Sequence, residues 1–359
     1  MIPLVLKLRE TPGVDSKVCV TAQHRELLDQ MLTPFDIIPD FDLDIMTARQ
    51  TLGDITTKVL QGIVPVLEEV KPDVLLVHGD TTTTFAASLA AFYARVSIGH
   101  VEAGLRSFDK YRPYPEEINR KITTALADFH FAPTETSRGN LLKENVAGDS
   151  VFVTGNTAID LICYTVAEGY AFKNPGLVSE LDKYQGKRLI LMTAHRRENH
   201  GEPMENICRA VKRVVEDNPD IFLVWPVHPS AAVTTPVNAI LRGVDRVILT
   251  EPLDVFDMHN LCRRAHLLLT DSGGLQEESP SFDLPTLVLR EVTERPEGLE
   301  AGTLVLVGVG EDSIYNETSR LLTDCAAYKK MATAANPFGD GHASERIISI
   351  LKENIQCLK

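Results

Sequence analysis

Short runs of aliphatic and β-branched residues recur along the chain, and the stretches between them have helical periodicity. In the first half the candidate strands are 17–21, 74–78, 96–101, 129–132 and 151–154; in the second they are 189–193, 221–226, 247–250, 267–270 and 286–289. Strands this uniformly apolar are buried on both faces, as in a parallel sheet covered by helices on either side. Parallel neighbours need a crossover between them, so two such series predict two doubly wound units in tandem. A chain of 359 residues also exceeds what one hydrophobic core usually supports. The expected fold class is therefore α/β, with two Rossmann-like domains. Open parallel sheets take ligands beyond the carboxyl ends of their strands, which puts the expected site in an inter-domain cleft. We place a first domain at 1–157, a connecting helix and linker at 158–187, a second domain at 188–335 and a C-terminal helix at 336–359 that packs back on the first. Residues 2–8 read as part of a helix, so the first unit is expected to lack an opening strand.

Charge and cysteine usage exclude several functions. Lysine and arginine number 36 against 50 acidic residues, a net charge of −14. A nucleic-acid partner would call for a basic footprint, so none is expected. An anionic ligand must then be met by local positive charge. The six cysteines, Cys19, Cys163, Cys208, Cys262, Cys325 and Cys357, form no CxxC pair and no zinc spacing. They read as thiols in a reducing compartment. No apolar run approaches the roughly 20 residues that span a bilayer. The N-terminal MIPLVLKLRE is too short for a signal peptide. A cytoplasmic protein without a membrane partner is expected.

The segment richest in chemistry is Asp271-Ser272-Gly273-Gly274-Leu275-Gln276-Glu277-Glu278, directly after the apolar run 265–270. Adjacent glycines bring backbone N–H groups close to a ligand. A helix that starts there offers unpaired donors and a positive dipole end, which suit a phosphate or diphosphate. Glu278, about one turn further in, is placed to accept from two sugar hydroxyls. Arg295, between Glu294 and Pro296-Glu297, either grips phosphate as a fork or pairs locally with Glu294. His195-Arg196-Arg197 follows the strand 189–193, and three potential cations in a row call for an anion. His195 and a nearby arginine are expected to face phosphate or a developing charge. His228, after 221–226, reads equally as a site residue or as a satisfied histidine before a turn.

Carboxylates mark the first half. Asp80 follows the strand 74–78, where a helix N-cap is the simpler role. Glu102 also ends a strand. Glu116 and Glu117 open a helix after Pro115, and one of them is accounted for by the helix dipole. Three carboxylates converging on one place would repel, so that one keeps its proton near neutral pH and can deliver it.

Taken together, LVHGDTTTT at 76–84, GHVEAGLR at 99–106, PEEINR at 115–120, APTETS at 132–137, TGNT at 154–157, TAHRREN at 193–199, DSGGLQEE at 271–278 and TERPE at 293–297 form an ordered set. The set resembles the non-hydrolysing bacterial UDP-N-acetylglucosamine 2-epimerases and runs nearly end to end. The resemblance implies a glycosyltransferase-B type fold, a homodimer, and interconversion of UDP-N-acetylglucosamine and UDP-N-acetylmannosamine for surface polysaccharide synthesis. It implies elimination of UDP to 2-acetamidoglucal and re-addition, with no NAD and no metal. Carried over by motif, Asp80, Glu102 and Glu116 are the acid/base carboxylates and His195 assists the leaving UDP. Ser272, Gly273 and Gly274 hold the diphosphate, Glu278 the ribose, and Arg295 lies near the nucleotide. Gln23 and Arg25, in Gln-His-Arg-Glu, match a segment that binds a second, allosteric substrate molecule. The alternatives are a sugar transferase of the same fold class, a hydrolysing epimerase, and a UDP-sugar binder without turnover. The chain departs from the family in two places. Family chains open with a strand and a Gly-Thr-Arg-Pro-Glu loop, and this one starts after it. Phe282-Asp283-Leu284 stands where the family has a small, glycine-containing turn.

Overall fold

Every predicted run is a strand in the computed structural model, which describes residues 1–23, 25–47 and 49–355. The chain divides into two units, residues 1–161 with 339–359, and residues 162–338.

The first unit contains α1 (Ile2–Glu10), β1 (Cys19–Val20), α2 (Arg25–Leu32), β2 (Phe41–Asp42), α3 (Leu52–Val70), β3 (Val74–His78) and α4 (Thr82–Ala94). It continues through β4 (Ser97–Val101), α5 (Glu116–Leu126), β5 (Phe129–Ala132), α6 (Glu135–Lys143), β6 (Val151–Val153) and α7 (Thr157–Thr165), whose last residues belong to the second unit. β3, β4, β5 and β6 form a parallel sheet in that order, and β1 and β2 form a separate parallel pair. Alternation along the strands feeds two cores. Val77 and Ile98 meet Ile55, Val59, Ile63 and Leu67 of α3 and the small side chains Ala86, Ala87, Ala90 and Ala91 of α4. Val101, Phe129 and Phe131 meet Leu4 and Leu8 of α1.

The second unit contains α8 (Pro175–Lys183), β7 (Arg188–Thr193), α9 (Glu202–Asp217), β8 (Ile221–Pro226), α10 (Ala231–Leu241), β9 (Val247–Thr250) and α11 (Val255–Arg264). It is completed by β10 (Leu267–Thr270), α12 (Gly273–Glu278), β11 (Thr286–Val288), α13 (Pro296–Ala301), β12 (Leu304–Leu306), α14 (Glu311–Thr323) and α15 (Cys325–Ala332). Its six-stranded sheet runs β12-β11-β10-β7-β8-β9. Counted from its own first strand, this is the doubly wound Rossmann order, with the reversal between β7 and β10. There the chain leaves two adjacent strands toward opposite sides, opening a crevice at their carboxyl ends. The chain then returns to the first unit as α16 (Ala343–Asn354), whose Ile347, Ile348 and Leu351 join the core of α1. Buried Asp160 accepts from the amides of Ala343 (3.0 Å) and Ser344 (2.6 Å), capping this helix from afar.

Two strands were not anticipated, β2 and β12. Both are edge strands of two or three residues, too short to leave a period in the sequence.

Candidate active site

In the second unit the site grows from the paired ends of β7 and β10. Thr193 and Thr270 stand in register, their hydroxyls 2.7 Å apart. One residue on, fully buried Asp271 uses a single oxygen, Oδ2, to accept from the amides of His195 (2.8 Å) and Arg196 (2.8 Å) and from Asn199 Nδ2 (2.9 Å). Asp271 thereby folds the His-Arg-Arg loop over the start of α12, a task that no spacing in the sequence announces. The other oxygen, Oδ1, lies 3.4 Å from His195 Nδ1. The His195 ring stacks on His228, centroids 5.8 Å apart at 17°. Burial lowers the pKa of His195, and the charge of Asp271 opposes that shift.

Two guanidiniums overhang the glycine turn. A methyl group placed on Gly273 would sit 3.6 Å from Arg196 Nη2 and 3.6 Å from Arg295 Nη2. Arg196 Nε is buried with no hydrogen-bond partner among the described residues, an arrangement that calls for an acceptor. Arg295 is aimed by its neighbours. Its Nε donates to Glu277 Oε1, and its amide donates to Thr293 Oγ1 (3.1 Å), which in turn donates to Gln276 Oε1 (2.6 Å). The expected pair with Glu294 is secondary, its carboxylate 3.8 Å away. Ser272 precedes α12 with its amide on Thr270 Oγ1 (3.0 Å). Glu278 sits one turn deeper. Amides and two arginines above a carboxylate suit an anion joined to a diol.

The first unit brings Asp80 and Glu102 to the ends of adjacent strands, β3 and β4. A methyl group on Gly79 would lie 2.9 Å from Glu102 Oε2, and the backbone there has φ +66°, which favours glycine. Glu102 itself has φ +65°, a strained backbone for this residue of the kind that collects at functional sites. Its Oε1 accepts from Asn156 Nδ2 (3.2 Å). The Gly79 carbonyl accepts from Nε2 of buried His100 (2.8 Å), whose pKa burial pushes down to about 3.

The N-cap role expected for Asp80 is corrected. Thr81 caps α4 through the amide of Thr84 (3.2 Å). Asp80 Oδ2 instead accepts from Arg120 Nε (3.0 Å) and Nη2 (2.6 Å). Arg120 closes the PEEINR segment but has no role assigned from the sequence; it lies one turn after Glu117 on α5 and bonds Glu117 Oε2 as well (3.2 Å). Glu117 is fully buried and also accepts from the amides of Ser107 (3.0 Å) and Phe108 (3.1 Å), so it is structural. Glu116 differs: its Oε2 is buried with no partner among the described residues. Arg106, despite its place in GHVEAGLR, is spent on Glu144 (2.9 and 2.7 Å).

Gln23 lies in the turn before α2, and His24 beside it is outside the described residues. Arg25 opens α2 with its guanidinium on Asp42 (2.6 and 2.8 Å) and Asp44 (3.0 Å). No group of three His, Cys, Asp or Glu among the described residues could hold a metal ion. The five described cysteines are free thiols; Cys357 lies outside the described residues.

Two parallel-sheet α/β units in one chain, the second with a cationic glycine turn at its Rossmann switch point, belong to the class of glycosyltransferase-B-like two-domain folds. The family model described as UDP-N-acetylglucosamine 2-epimerase matches residues 6–352, and the chain belongs to that family. The UDP-N-acetylglucosamine 2-epimerase of Bacillus subtilis is 54% identical over 98% of this chain and 91% of the relative. The Neisseria meningitidis UDP-GlcNAc 2-epimerase, solved with UDP-GlcNAc, is similar with a TM-score of 0.87 at 44% identity, over 99% of this chain and 96% of that one. Staphylococcus aureus MnaA, solved with UDP, has a TM-score of 0.89 at 48% identity, over 100% of this chain and 93% of that one.

Proposed function

We propose that this protein interconverts UDP-N-acetylglucosamine and UDP-N-acetylmannosamine. Ser272, Gly273 and Gly274 hold the diphosphate with Arg295 above them, and Glu278 accepts from the ribose hydroxyls. The hydrogen at carbon 2 is not acidic, so a base alone would fail. Cleavage of the C1–O bond runs ahead, building positive charge at carbon 1 that neighbouring carboxylates stabilise. One of Asp80, Glu102 and Glu116 takes the proton from carbon 2 as UDP departs, leaving 2-acetamidoglucal. A second carboxylate returns a proton to the opposite face as UDP adds back to carbon 1. The sequence is redox-neutral and uses no electron carrier. His195, anchored by Asp271, meets the departing diphosphate.

One observation carries the reading: Glu116 Oε2 is buried and unpartnered on the helix whose Arg120 binds Asp80. A carboxyl kept without a partner at the cost of stability suits proton transfer. Gln23 and Arg25 are proposed to receive a second substrate molecule as regulator. The exposed ring pair Phe92 and Tyr93 of α4, centroids 6.2 Å apart, supports a homodimer. No described helix is long and apolar enough to cross a membrane, and the free thiols support work in the cytoplasm on surface polysaccharide precursors. Incubation with UDP-N-acetylglucosamine and separation of the products tests the reading. UDP-N-acetylmannosamine is expected. UDP with free N-acetylmannosamine, or sugar transferred to an added acceptor, would replace it.

A further inference from the structure

Beneath Glu278 lie buried polar groups that the proposed reaction does not use. His259, on α11, is 1% exposed. Its Nε2 lies 3.3 Å from Glu278 Oε2, and its Nδ1 lies 2.6 Å from Thr165 Oγ1. The assignment of protons follows from the partners. The Glu278 carboxylate only accepts, so Nε2 carries the hydrogen of that bond; Nδ1 pairs with the Thr165 hydroxyl, which also lies 3.3 Å from the Ile162 carbonyl. Asn260 ties the Thr165 end down, its Nδ2 on the Thr165 carbonyl (2.8 Å) and its Oδ1 receiving the amide of Ala167 (3.3 Å). Phe282 closes the side of the ring, its centroid 5.7 Å from that of His259.

This arrangement treats the two carboxylate oxygens differently. Oε2 is turned down onto His259. Oε1 is turned toward the glycine turn, 4.0 Å from where a side chain on Gly274 would begin. A glutamate in a helix has several rotamers of similar energy, and holding one of them for the ligand improves affinity by removing an ordering cost.

We propose that His259 is a positioning residue for the ribose of the bound nucleoside diphosphate. Held at its other nitrogen by Thr165, it locks the Glu278 carboxylate so that Oε1 faces the ribose 2′- and 3′-hydroxyls. The proposal rests on Glu278 being the ribose ligand.

The test compares binding of UDP and of 2′,3′-dideoxy-UDP by calorimetry. The wild-type protein should prefer UDP, and Glu278→Gln should remove most of that preference. His259→Phe should reduce the preference about tenfold through UDP alone, leaving dideoxy-UDP binding as it was; a hydrogen bond to a charged acceptor has this magnitude. His259→Gln, whose amide can donate from the position of Nε2, should restore the preference, and Thr165→Val should lower it partially. Thr165→Val and His259→Gln carry the test if His259→Phe does not fold. A general loss of structure would weaken both ligands alike. Wild-type preference with Glu278→Gln neutral to it would show that Glu278 is not the ribose ligand, and the proposal would fall with that reading. Preference lost in Glu278→Gln but kept in His259→Phe and Thr165→Val would overturn the proposal alone.

Discussion

Glu116 and Glu117 are adjacent in the chain and begin the same helix, yet they are opposites. Glu117 accepts from two amides and Arg120 with no exposed surface, while Glu116 has a buried oxygen with no partner among the described residues. The sequence could say that one glutamate was surplus to the helix dipole. It could not say which, because burial and partners depend on where residues 107 and 108 pass. The difference predicts opposite consequences. Glu116→Gln should lower kcat by about 10²-fold or more, the lower end of what a placed acid or base contributes, with the unfolding temperature unchanged. Glu117→Gln should reduce stability by about 2 kcal/mol, because charge-assisted bonds are lost inside the protein. Activity and thermal melts of both variants check this; equal effects on both quantities would contradict the assignment.

At the scale of elements, ten strands were legible because each is an apolar run bounded by turn residues, and five of them, β3, β4, β7, β8 and β10, end within two residues of a candidate site residue. What the sequence concealed is how one strand end supports another. Asp271 looked like the last residue of a strand, and its hold on the 195–199 loop is a contact over more than 70 positions of chain. The Asp80 cap was misjudged for a local reason: Thr81, the next residue, is also a competent cap, and Arg120 holds the Asp80 carboxylate away from the helix amides. The departure at Phe282-Asp283-Leu284 is resolved by its backbone. Asp283 has φ +54°, a left-handed turn that suits glycine and that aspartate tolerates better than most residues. Asp271→Ala should destabilise the second unit by about 3 kcal/mol in urea unfolding, because three donors would lose their buried acceptor. A loss below about 1 kcal/mol would mean that the loop holds its place by other contacts.

For the whole molecule, buried histidine makes stability depend on pH. His100 has its pKa pushed from 6.5 down to about 3 by burial, so the unfolded chain takes up its proton before the folded one does. Its contribution is fully present above pH 6.5 and is lost as the pH falls from there toward 3. The slope is about 1.4 kcal/mol per pH unit. Urea unfolding between pH 7 and 5 should therefore show a shallower pH dependence in His100→Gln than in the wild type; identical slopes would mean that His100 does not set it.

The central claim is that carbon 2 exchanges its proton with protein carboxylates while UDP is detached. Proton NMR of the protein with UDP-N-acetylglucosamine in heavy water tests it most directly. Both sugar nucleotides should appear, each carrying deuterium at carbon 2. The manno epimer with protium at that carbon, or no change in the substrate at all, would contradict the account.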